Sequence, residues 1–503
     1  MLATLCLSAL VAMLVAAPLA AGATKGNAGR LDRGFSKDGK VVTAFPQAPS
    51  TRVEPNYRLP FEFAQGRIAM APAGGGKLVV ANSTAIVHYL ANGRRNPGFG
   101  GNGAVPIGPI EGSRFQIADV AVDSRGRVVV AGTTRPASQV GMPGPDVVGP
   151  LPSRVTLRRY LANGQIDGSF GSEGVLHTHL GAAAPTFAGY RYAEPAVGAV
   201  GLAVDAANRP IVTGSAVVQI GRCEPSQNRY EASQGIVARL NEDGSLDGSF
   251  AGGGVRTVGG LSWLGPPALR NGGLVAVGAE VDPCPRGGPD NPSLLVSLGG
   301  DGSIDGGFAT AGFWSRPFTR ISDVAAMPSG KIVLLARTIE LSGGEWVEST
   351  GMAIRLRANG AVDRGFGRGG RADLALPKDG SVAAITTDAK GRVLLAGSVP
   401  VEPRGEKAKR SSHNSAQLSF LLLRLDAKGE RDSDFGRKGR VATAFGANAS
   451  VHASDVLVDP AGRIVVGGPF SGPNVDAAFA IARYLATGAP RKAGRPGGKR
   501  GRR

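Results

Sequence analysis

Cysteine is almost missing from this 503-residue chain, which has three: Cys6, Cys223 and Cys284. No CxxC pair and no Cys/His cluster occurs, so the sequence gives no structural zinc site to expect. Histidines number five and aromatic residues make up 6%. Stretches with helical periodicity are absent from the body of the chain. Only one long apolar run exists, "LATLCLSALVAMLVAAPLAAGA" from Leu2 to Ala23. It ends in small residues with an A-x-A pattern, which predicts a secretory signal peptide over residues 1–23 and no transmembrane segment after cleavage. Exported, the chain would keep only Cys223 and Cys284. These permit a single intramolecular bridge, and that disulfide is expected.

Glycine, by contrast, is abundant at 77 residues, as a chain with many tight turns requires. Charge is lopsided, at a formal +18. Seven of those cations lie in "RKAGRPGGKRGRR" after Pro490, and the Gly/Pro content with no apolar face predicts a disordered basic tail over 489–503. No motif that reads DNA or RNA accompanies it, so specific nucleic-acid recognition is not expected.

One phrase, G-x-x-D-x-x-F-x-x-x-G, recurs seven times. Its phenylalanines are Phe35, Phe99, Phe170, Phe250, Phe308, Phe366 and Phe435, each followed four residues later by Gly. Asp stands three residues before each, except that Asn96 takes its place in the second copy. The phenylalanines are 64, 71, 80, 58, 58 and 69 residues apart, so a constant unit carries variable loops. Between copies the order returns: a strand, a D-x-x-G turn, a second strand without polar alternation, and a third strand leading into the phrase. "ADVAVDSRGRVVVAG" from Ala118 and "DVLVDPAGRIVVGG" from Asp455 are examples. A second strand apolar on both faces must be covered on both. Four short antiparallel strands per unit, packed between like units, predict an all-β, seven-bladed β-propeller over residues 29–488. The last unit has only its first three strands, ending near "AIARYLATG", and the fourth stands at the other end as "GRLDRGFSKDGKVV". Lys40 to Phe45 is therefore expected to pair with the strand near Phe479 to Tyr484, hiding the edges.

The phrases "DGSLDGSF", "NGQIDGSFGSEG" and "DSRGRVVVAG" make the chain resemble the delta-60 repeat family of bacterial β-propeller proteins, from Gly29 to Gly488. The resemblance implies an exported propeller and brings no established reaction, catalytic residue or cofactor. Blade four departs from it, its first strand near "LSWLGPPA" being degenerate.

The chemistry-bearing residues are sparse. "HTH" (His177 to His179) could begin a metal site but lacks a third ligand. "NEDGSLD" and "GGDGSID" lack the alternating acids and distal Glu of a calcium loop. No G-x-S-x-G elbow or Cys-His order is present. Five third strands share an Arg (Arg159, Arg239, Arg355, Arg424 and Arg483), and the unit with His88 there is the one with Asn96. Joint loss of both charges predicts that this Arg meets the repeat Asp, with Ser297 opposite Asp305 as the exception.

These features predict a binding or scaffold module, monomeric and without a cofactor, in the periplasm or at the cell surface. Its partners would be a protein, a glycan or an envelope surface. The alternatives are a propeller hydrolase or lactonase working at the mouth of the central channel, which acids or histidines converging on the axis would favour, and a purely structural envelope component. One end of the ring holds the invariant turns, the other the long dissimilar loops. Those loops and links carry Tyr57, Arg58, Tyr190, Arg191, Tyr192, Tyr230 and Trp346, the residue types that dominate interface energetics. They are the expected binding residues. The register of the repeats also puts Cys223 and Cys284 after the second strands of adjacent blades.

Overall fold

A computed structural model describes residues 28–44, 68–108, 113–136, 153–183, 186–187, 190–191, 195–222, 229–270, 272–279, 293–342, 345–348, 351–401, 417–473 and 475–487. Residues 1–23 and 489–503 lie outside these, as do Tyr57, Arg58, Tyr192, Cys223 and Cys284. Among the described residues all regular structure is β, in seven antiparallel sheets that are the seven expected blades. Blade two shows the plan with Ser113–Val122 innermost, then Val128–Pro136, Arg154–Tyr160 and Val175–Thr178 at the rim. Its second strand is sealed on both sides, Val128 to Ala131 being at most 1% exposed. The apolar clusters between blades form the core; one joins Leu157 and Phe170 of blade two to Leu202 and Val212 of blade three.

Blade seven closes the ring as expected. Lys40–Ala44 pairs antiparallel with Val475–Tyr484 in the register Lys40↔Ala482 through Ala44↔Ala478. Gly29 N–H donates to Leu485 O at 2.7 Å, and Leu485 N–H donates back to Arg30 O at 2.9 Å. The degenerate blade four keeps its place, with an innermost strand broken into Trp263–Leu264 and Ala268–Arg270.

The repeated phrase folds into one turn between third and fourth strands. Phe N–H donates to the Asp carbonyl and the final Gly N–H to the Phe carbonyl, as at Phe170 and Gly174. All seven phenylalanines are at most 1% exposed. The closing Gly sits at φ between 78° and 96° in every copy. A Cβ on Gly174 would lie 2.4 Å from Ile166, which is why no other residue occupies that position. The residue after each Phe is left-handed too, with φ from 46° to 59°, even where it is Ser36, Ala251 or Ala309. That conformation aims its N–H at the turn of the next blade. Gly100 donates to Asn163 O, Gly171 to Asp243 O, Ala251 to Asp301 O and so on, through Gly436 to Ala28 O and Ser36 to Asn92 O. Seven such bonds of 2.6–2.9 Å run around the ring, and the last two pass through the chain's joined ends.

Candidate functional site

On the face built from the repeated turns, the expected Arg–Asp meeting is present in all five blades. Arg159, Arg239, Arg355, Arg424 and Arg483 donate through Nε or Nη to Asp167, Asp247, Asp363, Asp432 and Asp32 at 2.7–2.9 Å. Each guanidinium also lies over the repeat Phe ring, 4.2–4.8 Å from its centroid. Four of them reach on to a backbone carbonyl of the following blade: Arg159 to Glu242, Arg239 to Gly300, Arg355 to Ala427 and Arg424 to Ala486. The motif is thus an inter-blade clamp. Burial pushes Asp247 up, but hydrogen bonds from Ser249 and Arg239 outweigh it and hold the carboxyl at about 2.

The exception in blade four is repaired from another strand. Arg270, at the end of Ala268–Arg270, donates to Ser297 Oγ at 2.8 Å and to Asp305 at 3.2 Å. It lies 5.1 Å from the Phe308 centroid and donates to Ala358 O of blade five at 2.9 Å. Blade one uses the neutral version, with Asn96 Nδ2 3.3 Å from His88 Nδ1 and the imidazole stacked on Phe99. Burial, with Lys77 nearby, lowers His88 to about 4, so it stays neutral there at physiological pH.

The acidic loops resembling calcium sites spend their carboxylates in turns. Asp243 and Asp301 accept from the N–H and Oγ of Ser245 and Ser303. His177 lies on a rim strand with Nδ1 2.9 Å from Thr156 Oγ1, and His179 follows that strand's end. Among the described residues no group of three His, Cys, Asp or Glu is gathered as a metal would need.

The axis carries a feature that the repeat motifs did not single out. Asp119, Asp323 and Asp455 stand at one equivalent position of the innermost strands in blades two, five and seven, where Gly201 and Ala384 stand in blades three and six. A bulge precedes Asp119 and Asp323. Each carboxylate accepts from its own strand and from the next blade: Asp119 from Val120 and Leu202 N–H, Asp323 from Val324 and Ile385 N–H, Asp455 from Val456 and Met70 N–H. Enclosure by the channel wall, together with the Asp119 and Asp323 charges, pushes Asp455 up to about 7. The trio ties inner strands together and places a group that exchanges a proton near neutrality on the axis. The only sequence signal was an Asp at the same phase of "ADVAV", "SDVAA" and "SDVLV".

Because the folded value of Asp455 lies above that of an unfolded carboxyl, its contribution is complete below about pH 4 and is lost as pH rises to about 7. Stability should therefore fall across that window and level off above it. Asp455→Asn is expected to remove a pH dependence on the order of 4 kcal/mol across that window. Urea melts at pH 4, 6 and 8 check it; an unchanged slope in the variant would show that Asp455 does not carry the effect.

At the opposite face the loops build extra structure. In blade three the second and third strands lengthen to Pro210–Arg222 and Arg229–Arg239, paired as far as Arg222↔Arg229. A hairpin of Thr186–Phe187 and Tyr190–Arg191 adds to this sheet through Thr186↔Gln219, making six strands. Tyr190, Arg191 and Tyr230 thus belong to one sheet, with Tyr230 opposite Gly221. Trp346 is on the blade-five hairpin Glu345–Glu348, opposite Leu341 and two blades away. Glu348 anchors that hairpin by accepting from Arg320 at 2.5 Å and Arg337 at 3.1 Å.

The model of a family described as "Domain of unknown function (DUF5122) beta-propeller" matches residues 229–250, the third strand and clamp turn of blade three. No curated protein matches. Solved structures similar to the chain include a protein of unknown function from Dyadobacter fermentans, 13% identical, covering 74% of this chain and 99% of its own, with a TM-score of 0.39. The polysaccharide lyase Uly1 is 9% identical over 88% of this chain and 94% of its own, with a TM-score of 0.46. A gluconolactonase from Xanthomonas campestris is 14% identical over 84% and 98%, with a TM-score of 0.31.

Proposed function

We propose that the chain is an exported propeller of the delta-60 repeat type that binds an envelope protein or glycan through its loop face. The enlargement of blade three carries this reading: the ring adds strands only where they are not needed for closure, and Tyr190, Arg191 and Tyr230 fall within that addition. On the other face the repeated residues are engaged in clamping blades. Tyrosine and arginine on a rigid sheet lose little entropy on binding, which favours them as anchors. The double variant Tyr190→Ala, Tyr192→Ala should reduce capture from detergent-solubilised envelope extract by about tenfold or more, with the melting temperature nearly unchanged. Undiminished capture by that variant, together with loss on altering the clamp turns, would move the binding site to the opposite face.

A second reading rests on the axial carboxylates. A proton-exchanging Asp455 flanked by Asp119 and Asp323 is the acid–base component that a hydrolase or lactonase at the channel mouth would use. Turnover of a lactone panel that disappears in Asp455→Asn would favour it.

A further inference from the structure

The clamp turn is the same fifteen-residue structure in every blade, yet its charge is not the same. From the residue after the third strand to the first of the fourth, the formal charge is +3, +1, +2 and +2 in blades five, six, seven and one. It is −2, −3 and −2 in blades two, three and four. The basic blades are consecutive around the ring, as are the acidic ones. Lys37, Arg368 and Arg437 occupy one identical turn position in blades seven, five and six; Arg33 and Arg364 share another. Positions repeated by rotation about one axis lie in one plane. All five are exposed and form no ion pair among the described residues.

Three further observations concern what would meet this plane. The described chain leaves blade seven at Thr487, at this end of the ring, and the sequence beyond it holds seven more Lys and Arg. No aromatic side chain is exposed on these turns, since Phe35, Phe99, Phe366 and Phe435 are buried; the exposed large apolar residue is Val362. A cavity of about 320 Å³ opens between blades five and six; of its lining cations Lys331 and Arg355 pair with Asp363, and Lys390 is exposed at its edge. Single-stranded nucleic acid would ask for stacking platforms, which these turns lack. A planar array of cations with a polybasic extension suits a flat anionic sheet.

We infer that blades five, six and seven dock the protein through their clamp turns onto an anionic lipid surface, with headgroup phosphates taken by the turn lysine and arginines. This deepens the envelope part of the proposed function but rests on different residues, leaving the loop face directed away from the membrane.

The test is co-sedimentation of the full chain with phosphatidylglycerol–phosphatidylcholine vesicles, against pure phosphatidylcholine. The variant Lys37→Gly, Arg368→Ser, Arg437→Ser uses residues that this turn position already carries at Gly252 and Ser172. Its partitioning onto the anionic vesicles should fall roughly 10- to 100-fold, and each single substitution should cost a few-fold. Raising salt should release the native chain. Equal binding to neutral vesicles, or a folded triple variant that binds as well as the native chain, would overturn the inference. So would binding to heparin or duplex DNA without binding to vesicles, which would make the occupant a polymer. A dimer dissociated by the triple variant, with no vesicle binding, would make it a second copy of this chain.

Discussion

A chain lacking residues 29–45 is expected to aggregate and to lose its cooperative melt. The deletion removes the outer strand Lys40–Ala44 and exposes the N–H and C=O groups along Val475–Tyr484. It also uncovers Phe479 and Ile481, which are completely buried beside Phe35 and Val41. An unpaired edge of this composition is a template for a second chain. Ser36, which donates to Asn92 O of blade one, and Asp32, which holds Arg483 within blade seven, leave with it, so blade one loses a neighbour's hydrogen bond and blade seven its own clamp. Size-exclusion chromatography and thermal melting check the outcome. A soluble deletion variant with the native melting temperature would mean that the ring does not depend on this strand.

The second large effect is expected from one clamp. Arg424 is 1% exposed, donates to Asp432 at 2.8 Å and to Ala486 O at 2.5 Å, and covers Phe435 at 4.2 Å. Arg424→Ala strands Asp432 against protein and unties blade six from blade seven, which should cost about 3–5 kcal/mol. Loss of both charges together should be milder, because blade one already runs on His88 and Asn96. The pair Arg424→His, Asp432→Asn is therefore expected to recover at least half of that loss in urea melts. If the double variant is no more stable than Arg424→Ala, the clamp is not an interchangeable unit and the analogy between blades fails.

Blade number, strand order and the closing strand were legible because each depends on residues that recur at fixed spacing. The Phe and closing Gly have no substitutes: one fills the same buried site seven times, the other takes a φ that a Cβ resists. The Arg–Asp clamp was legible through its failure in blade one. Arg270 was not, because it replaces Ser297 from a different strand, 27 residues upstream, and no alignment of third strands would show it. The inter-blade bonds were hidden for another reason: their acceptors are backbone carbonyls, which any residue supplies. The axial aspartates occur in only three of seven blades, so the repeat pattern averaged them away. For the proposed binding residues, the order of turns and loops placed them at one end of the ring; register then joined Tyr190, Arg191 and Tyr230 in one sheet and set Trp346 apart on another.

Both faces and the axis have meaning only if the ring is closed, and amide hydrogen exchange tests closure most directly. The residues to follow are Val41, Val42 and Thr43, whose strand pairs with Ile481, Ala480 and Phe479 although more than 430 residues separate them. In a closed ring their ladder amides exchange only with global unfolding, as slowly as those of Val128 to Ala131 in the interior of blade two. Exchange on the time scale of a frayed terminus, with blade two still protected, would contradict the account.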